Sequence, residues 1–178
     1  MGRACDHRSV ADIRPALADD LIAMQRVERS AGEPFRALGM DAVADDDPPP
    51  TAILARYQRA GRAWVAVVGR EVVAYLVLDV VGDAGHIEQV SVDPRHGRQG
   101  IGRRLIETAA AWCREHGSAA LTLTAFSDVP WNAPYYARLG FVEISEADLP
   151  PALAATRALE TARGLDRWPR LAMRRSLG

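Results

Sequence analysis

Three glycines, Gly97, Gly100 and Gly102, lie between a strand-like V-S-V at residues 90–92 and a helical pattern that begins after Gly102. Leu105, Ala109, Trp112, Cys113 and His116 fall at i, i+4, i+7, i+8 and i+11, the spacing of one helix face. Strand, glycine loop and helix N-terminus together suit an anion such as a phosphate. The first helical turn carries N–H groups with no intrahelical acceptor and the positive end of the macrodipole, and glycines let the backbone approach a ligand closely. Residue types rule out two common nucleotide loops. A Walker A loop needs a lysine after its last glycine, and the chain contains no lysine. A dinucleotide fingerprint needs its third glycine at position 105, which is Leu105.

What the stretch resembles is the acetyl-CoA loop of the GCN5-related N-acetyltransferase (GNAT) family, written (Q/R)-x-x-G-x-(G/A). Arg98, Gln99, Gly100, Ile101 and Gly102 match its x-x-G-x-G part. The first motif position departs from the family: it falls on Gly97, with Arg95 and Arg98 nearby. The resemblance implies acetyl-CoA as co-substrate. Residues from Gly97 to Arg103 and Arg104 would hold its pyrophosphate, mainly through backbone N–H groups. Val90, Ser91 and Val92 would offer strand backbone to the pantetheine, with a nearby N–H polarising the acetyl carbonyl as an oxyanion donor does.

A second signature of the family lies at residues 131–141, W-N-A-P-Y-Y-A-R-L-G-F. The family commonly carries a Tyr four residues before a Gly-Phe pair, here Tyr136 before Gly140-Phe141. The resemblance implies that Tyr136 protonates the leaving CoA thiolate, a role open to a phenol that is neutral at pH 7. Tyr135 is the adjacent rival, and both tyrosines also fit packing aromatics on a short helix. Asn132 and Tyr135 match positions beside the CoA arm.

An amine attacks a thioester only when neutral, so a proton acceptor helps. Glu88 stands four residues before Val92, the spacing at which the polyamine-acetylating branch of the family carries a glutamate acting through water. His86 stands where the histone-acetylating branch carries its glutamate. On a strand, positions 86, 88, 90 and 92 share a face, so His86 and Glu88 are expected to line one cleft. Glu88 also fits a solvated carboxylate or an arginine partner, and His86 a satisfied core histidine. No metal site is read, because His7, His96 and His116 lack the spacing that would complete a ligand set with His86 and Glu88.

The elements that must position these groups follow from pattern. The chain of 178 residues suits one domain, able to bury roughly 70% of its unfolded surface. Apolar content of 48% and charged content of 25% are ordinary for a globular protein. A net charge of −1 gives no global electrostatic case for nucleic acid or an anionic membrane. Cys5 and Cys113 have neither disulfide nor zinc spacing and read as bystanders. With no signal-like N-terminal run and no long apolar span, the chain reads as cytoplasmic.

Residues 1–8 read as a disordered polar lead, residues 10–14 as a short strand, and residues 18–31 as a helix with Leu21, Ile22, Met24 and Val27 on its apolar face. Gly32-Glu33-Pro34 is expected to end that helix. Residues 41–50 read as an acidic, proline-rich loop and residues 53–60 as a second helix. Val-rich runs at 63–68 and 71–80 form a hairpin across Gly69-Arg70, and residues 82–85 make a further turn before a strand at 86–92. After the long helix come a strand at 120–126, a short helix at 132–139, a strand at 141–144, an added Ala/Leu-rich helix at 147–164 and a last strand at 170–174. The fold class is α/β (α+β): a mixed, mostly antiparallel sheet of about seven strands with helices on both faces, an order similar to the GNAT fold apart from the added helix.

The resemblance implies an N-acetyltransferase acting by direct attack in a ternary complex, its acceptor a primary amine of a small molecule. The alternatives are a protein N-terminal or lysine acetyltransferase and a non-catalytic acyl-CoA-binding module. Against the last stand Tyr136 and Glu88, which a pure binder does not need. The acceptor walls would come from Glu33, Phe35, Phe126 and Trp131, with Glu28, Thr124 and Asp128 nearby in sequence; acids beside aromatics suit a cationic amine. The family admits a homodimer, for which the sequence carries no specific signal.

Overall fold

A computed structural model describes residues 10–178. The expectations for residues 1–8 and for Cys5 lie outside the described residues. Seven strands form one sheet in the order β1-β2-β3-β4-β5-β7-β6. By contact density the chain divides into two compact units, the first comprising the residues up to Val77 with Gln89–Leu105, the second Leu78–Glu88 with Ile106–Gly178. Strands β3 (Glu71–Val81) and β4 (Ala84–Val92) run through both. No helix among the described residues is long and apolar enough to cross a membrane.

In the first unit, β1 (Asp12–Pro15) pairs antiparallel with β2 (Ala63–Val68), and β2 with β3 in the expected hairpin. Val68 opposes Glu71, which leaves Gly69-Arg70 as a two-residue turn with Gly69 at φ +62°. The register shifts between Ala66 and Val67, a bulge that the alternating valines did not announce. Helix α1 (Leu21–Gly32) buries Leu21, Met24 and Val27 against Leu54, Val65, Tyr75 and Val77. Ile22, expected on that face, is 68% exposed, because one step of about 100° turns it off the stripe that Met24 and Val27 define.

Two boundaries differ from expectation here. After α1 the chain continues as a 3-10 helix, Glu33–Leu38, with Pro34 in its first turn, where the missing N–H is not needed. The acidic segment starts with a helical turn, α2 (Asp41–Ala44), and only residues 45–50 lack regular structure. Ala44 is buried close to Gly32, whose added Cβ would lie 3.3 Å from its carbonyl oxygen. Arg36 ties the segment down through Asp45, and Gln25 donates to the Pro49 carbonyl at 2.9 Å. Helix α3 (Thr51–Arg59) follows as expected, with Leu54 fully buried.

In the second unit, β4 pairs parallel with β5 (Ala120–Phe126) through Gly85↔Leu121 and His86↔Thr122. β7 (Arg170–Ser176) pairs antiparallel with β5 and with β6 (Val142–Ile144). Helix α4 spans Ile101–Glu115, and α5 spans Ala133–Arg138. On α4 the buried residues are Ile101, Leu105, Ile106, Ala109, Ala110 and Cys113. Trp112 and His116, expected on that face, stack on each other at 3.8 Å, and His116 is exposed. The added helix α6 covers Pro151–Ala162 and begins later than expected, after a 3-10 turn at Glu146–Asp148. Pro150-Pro151 sets that start, because a residue before proline is driven out of the α region: Pro150 has ψ 144°.

Gly85 is a correction with a reason. Expected in a turn, it lies buried within β4, and the turn is only Gly82-Asp83. An added Cβ at Gly85 would sit 2.2 Å from the Cys113 sulfur, so Cys113 is a packing partner that demands glycine, and burial raises its thiol pKa. Replacing Gly85 with alanine should therefore cost about 2 kcal/mol of unfolding free energy through overpacking. Denaturant unfolding of Gly85→Ala alone and combined with Cys113→Ala checks this: the second substitution should restore most of the loss.

Candidate active site

The first unit carries the anion-binding geometry. Asp93 closes β4 by accepting the Arg95 backbone N–H at 2.9 Å, and its own N–H donates to the Val73 carbonyl at 2.9 Å. The Arg95 guanidinium folds back onto Asp93 (2.8 Å) and also reaches Glu71 (3.0 Å), which holds the Asp93 carboxyl below the usual carboxylate range. Arg95 is thus committed to the turn, a 3-10 stretch at Pro94–His96. A Cβ on Gly97 would come within 3.2 Å of the Pro94 carbonyl, so glycine is required by close approach there.

Beyond Gly97 the loop is left-handed at two positions, Arg98 (φ +59°) and Gly100 (φ +75°). Helix α4 starts at Ile101, inside the motif, and its first bond runs from the Arg104 N–H to the Gly100 carbonyl. The amides of Ile101, Gly102 and Arg103 therefore occupy the turn that has no intrahelical acceptor. A Cβ at Gly100 would meet nothing within 4 Å, so open space faces these amides. Arg98, Gln99 and Arg103 are exposed, whereas Arg104 donates to the Ala11 carbonyl at 2.6 Å. Such a loop fits a pyrophosphate: fixed donors, a helix dipole and a backbone that can be approached closely.

The same unit contains a group that pattern alone did not single out as a network. The Glu28 carboxylate, on α1, accepts from Tyr75 Oη at 2.7 Å, Ser91 Oγ at 2.6 Å and Gln89 Nε2 at 2.8 Å. Burial raises its pKa against the lowering effect of these donors, and raises that of Tyr75 well above its ordinary value. Ser91 is buried, while Val90 and Val92 are half-buried. Of the expected acceptor residues, Glu33 is exposed and paired with Arg36 at 3.2 Å, and Phe35 is buried.

In the second unit, β4 breaks the expected alternation. Ala84 to Ile87 are all buried, and Glu88 is the residue that emerges. His86 and Glu88 therefore do not open together onto one face. His86 is 2% exposed, its Nδ1 lies 2.9 Å from Thr122 Oγ1, and burial lowers its pKa. Water reaches Glu88, yet the protein around it is dense enough that desolvation raises its pKa; Asp79 and Glu160 raise it further and Arg163 opposes them. Glu160, on α6, is held by Arg157 (2.9 Å), Arg170 (3.0 Å) and the Thr124 hydroxyl.

Tyr136 sits on α5 and is buried, packed edge-on against Tyr135 (5.5 Å between centroids) and Phe141 (6.0 Å). The spacing of Tyr to Gly-Phe has a local cause. Gly140 at φ +87° reverses the chain, the Phe141 N–H returns to the Tyr136 carbonyl at 3.2 Å, and the Phe141 ring closes on that of Tyr136. Asn132 precedes α5, and its Oδ1 accepts the Phe126 N–H at 2.8 Å, so this side chain ties the helix start to the end of β5. Phe126 is buried against Trp168 with the Arg170 guanidinium 4.5 Å over its ring, whereas Trp131 is 41% exposed.

Comparisons with known proteins agree with this geometry. A model of the acetyltransferase (GNAT) family matches residues 24–141. A mycothiol acetyltransferase from Cellulomonas flavigena is 27% identical over 176 residues, which cover 88% of this chain and 48% of that protein, so the chain spans about half the length of this curated relative. The ribosomal-protein-S18-alanine N-acetyltransferase from Escherichia coli has a similar fold, with a TM-score of 0.63 at 20% identity and 94% of each chain covered. So does N-acetylglutamate synthase from Neisseria gonorrhoeae, complexed with coenzyme A and N-acetyl-glutamate: TM-score 0.70 at 19% identity over 94% of this chain and 35% of that one. A family match running from α1 through the glycine loop to the Gly140-Phe141 pair is decisive: the chain belongs to the GNAT family of acetyltransferases.

Proposed function

We propose that this protein transfers the acetyl group of acetyl-CoA to a primary amine of a small molecule by direct attack, with Glu88 as proton acceptor and Tyr136 as proton donor. Family membership supports the reaction class. The observation that carries the assignment of the base is the state of Glu88: accessible to water, yet with its pKa raised by burial and by two carboxylates. A carboxyl moved toward neutral pH is a better match for accepting a proton from an ammonium group. His86, buried and engaged with Thr122, is the weaker candidate.

Acetyl-CoA supplies an acetyl group on a thioester, so the C–S bond breaks as the amine nitrogen forms the C–N bond. Glu88 takes the proton that the amine must lose, directly or through water. Tyr136 gives a proton to the departing sulfur and recovers one from solvent. The amides of Ile101 to Arg103, opened by Gly100, take the pyrophosphate, with Arg98, Gln99 and Arg103 at the rim. Val90 and Val92 offer strand backbone to the pantetheine, beside Ser91; Asn132 and Tyr135 flank the CoA arm. The added helix α6 favours a small acceptor. Its Glu160 is bound to β5 and β7 and raises the pKa of Glu88, so α6 lies near enough to the base to wall the acceptor side. Asp79 and Glu160 suit a cationic amine; Trp131, Phe126, Phe35 and Glu33 complete the proposed acceptor set.

Calorimetric titration with acetyl-CoA, using NAD and ATP as controls, should show micromolar binding of the first alone. Gly100→Glu should abolish it by placing a side chain and a negative charge at a left-handed position in the anion loop; unchanged affinity sinks the pyrophosphate assignment. For Tyr136→Phe, thiol release should fall roughly a hundredfold in kcat with little change in acetyl-CoA binding. Full turnover in that variant with loss in Tyr135→Phe would transfer the role. The rate should fall on the acid side as Glu88 protonates, at a pH above the ordinary carboxyl value of 4.5, because only the ionised form accepts a proton. The pH–rate profile of Glu88→Gln should lack that limb; a profile that keeps it places the base elsewhere.

A further inference from the structure

Residues 89–95 are held by two carboxylates, one on each side of Val92. Downstream is Asp93, which caps the turn into the glycine loop. Upstream is Glu28, which receives Ser91 Oγ and Gln89 Nε2 from β4 together with Tyr75 Oη from β3. Gln89 Nε2 also reaches Ser91 Oγ at 2.9 Å, so the two β4 side chains are linked to each other as well as to Glu28. Positions 89 and 91 point to the same side of the strand, and 90 and 92 to the other. The network therefore grips β4 by one side only and leaves Val90 and Val92 out of it.

Stability alone is a poor explanation for a carboxylate here. An apolar side chain would fill the space without the desolvation that raises the Glu28 pKa, and buried ionic groups are often replaceable by apolar ones at no loss. What an ionised carboxylate adds is direction: three donors must aim at its two oxygens, and this fixes the Ser91 and Gln89 side chains and the backbone that carries them. With both oxygens so engaged, Glu28 is also badly placed to serve as the base.

We infer that Glu28 is a positioning residue for the donor: through Ser91 and Gln89 it sets the backbone of residues 89–92, the segment assigned to the pantetheine arm. The inference rests on the acetyl-CoA reading above and adds to it a residue on α1 that touches no reacting atom.

The test is acetyl-CoA titration calorimetry on the full chain, well below its melting temperature. The proteins compared are wild type, Glu28→Ala, Glu28→Gln and Asp20→Asn. Asp20 is a hydrogen-bonded carboxylate of the same unit that holds Arg14 and the Leu17 N–H instead of β4, so its variant controls for lost stability. Glu28→Ala should weaken acetyl-CoA binding about tenfold, and Glu28→Gln, which keeps one acceptor oxygen, about threefold. Asp20→Asn should bind as wild type. Hydrogen exchange at the amides of residues 89–92 should quicken in both Glu28 variants and not in the control. If Glu28→Ala does not fold, Glu28→Gln decides. Unchanged affinity or unchanged exchange at 89–92 in Glu28→Gln overturns the inference and leaves the donor reading intact. Failure of the wild type to bind acetyl-CoA overturns the donor reading and takes the inference with it.

Discussion

Where β4 stops, one carboxylate decides what the chain does next. Asp93 accepts a backbone N–H two residues on and the guanidinium of the same residue, while its own N–H remains tied to Val73. A strand that ended loosely would let the following glycines sample many conformations, because glycine is the residue with the most freedom to lose. The ion pair removes that freedom before the loop begins. Gly97 can then approach Pro94, Arg98 and Gly100 take left-handed conformations, and α4 starts with its first three amides presented to open space. An arginine held at φ +59° is conformationally unfavourable, and such local strain persists only where the surroundings over-determine it. Here Asp93 on one side and the start of α4 on the other do so.

The second unit uses buried charge differently. Glu160 is held by two arginines and a threonine hydroxyl, so its own charge is well satisfied. Yet its field still acts on Glu88, where it adds to the effect of Asp79 and of burial. The result is a division among carboxylates in the chain. Asp93 and Asp20 have lowered pKa values, held by arginine partners, and serve structure. Glu88, with no such hydrogen-bonded partner given by the same analysis of its surroundings, is raised and suited to exchange protons near neutral pH. Glu28 is raised too, but three donors occupy it, which points to positioning.

Much of this was legible in the chain because the signals are local. The hairpin at Gly69-Arg70 follows from a turn whose conformation needs glycine, and the strand at 120–126 from an uninterrupted apolar run. The glycine loop and the Tyr-to-Gly-Phe spacing are short-range devices, each completed within about ten residues by backbone bonds and left-handed glycines. Boundaries were less legible where neighbours in space decide them. The acidic segment gained a helical turn because Ala44 packs by Gly32, and Gly85 joined a strand because Cys113 leaves no room for a Cβ.

Amino-acid order by itself determined the elements, their sequence along the chain, the anion loop and the candidate acid and base, since these depend on periodicity, turn conformations and residues close together in the chain. Only the tertiary structure decided which of two neighbouring strand residues reaches water. Periodicity places His86 and Glu88 on one face, but β4 is buried on both sides from Ala84 to Ile87, so the histidine is in the core and the glutamate emerges. It alone also joined Glu28 to Ser91 and Glu160 to Thr124, pairs separated by 63 and 36 positions. The physical reason is range: a hydrogen bond or the field of a buried charge depends on distance in space, and no local pattern encodes which distant side chains folding will bring within 3 Å.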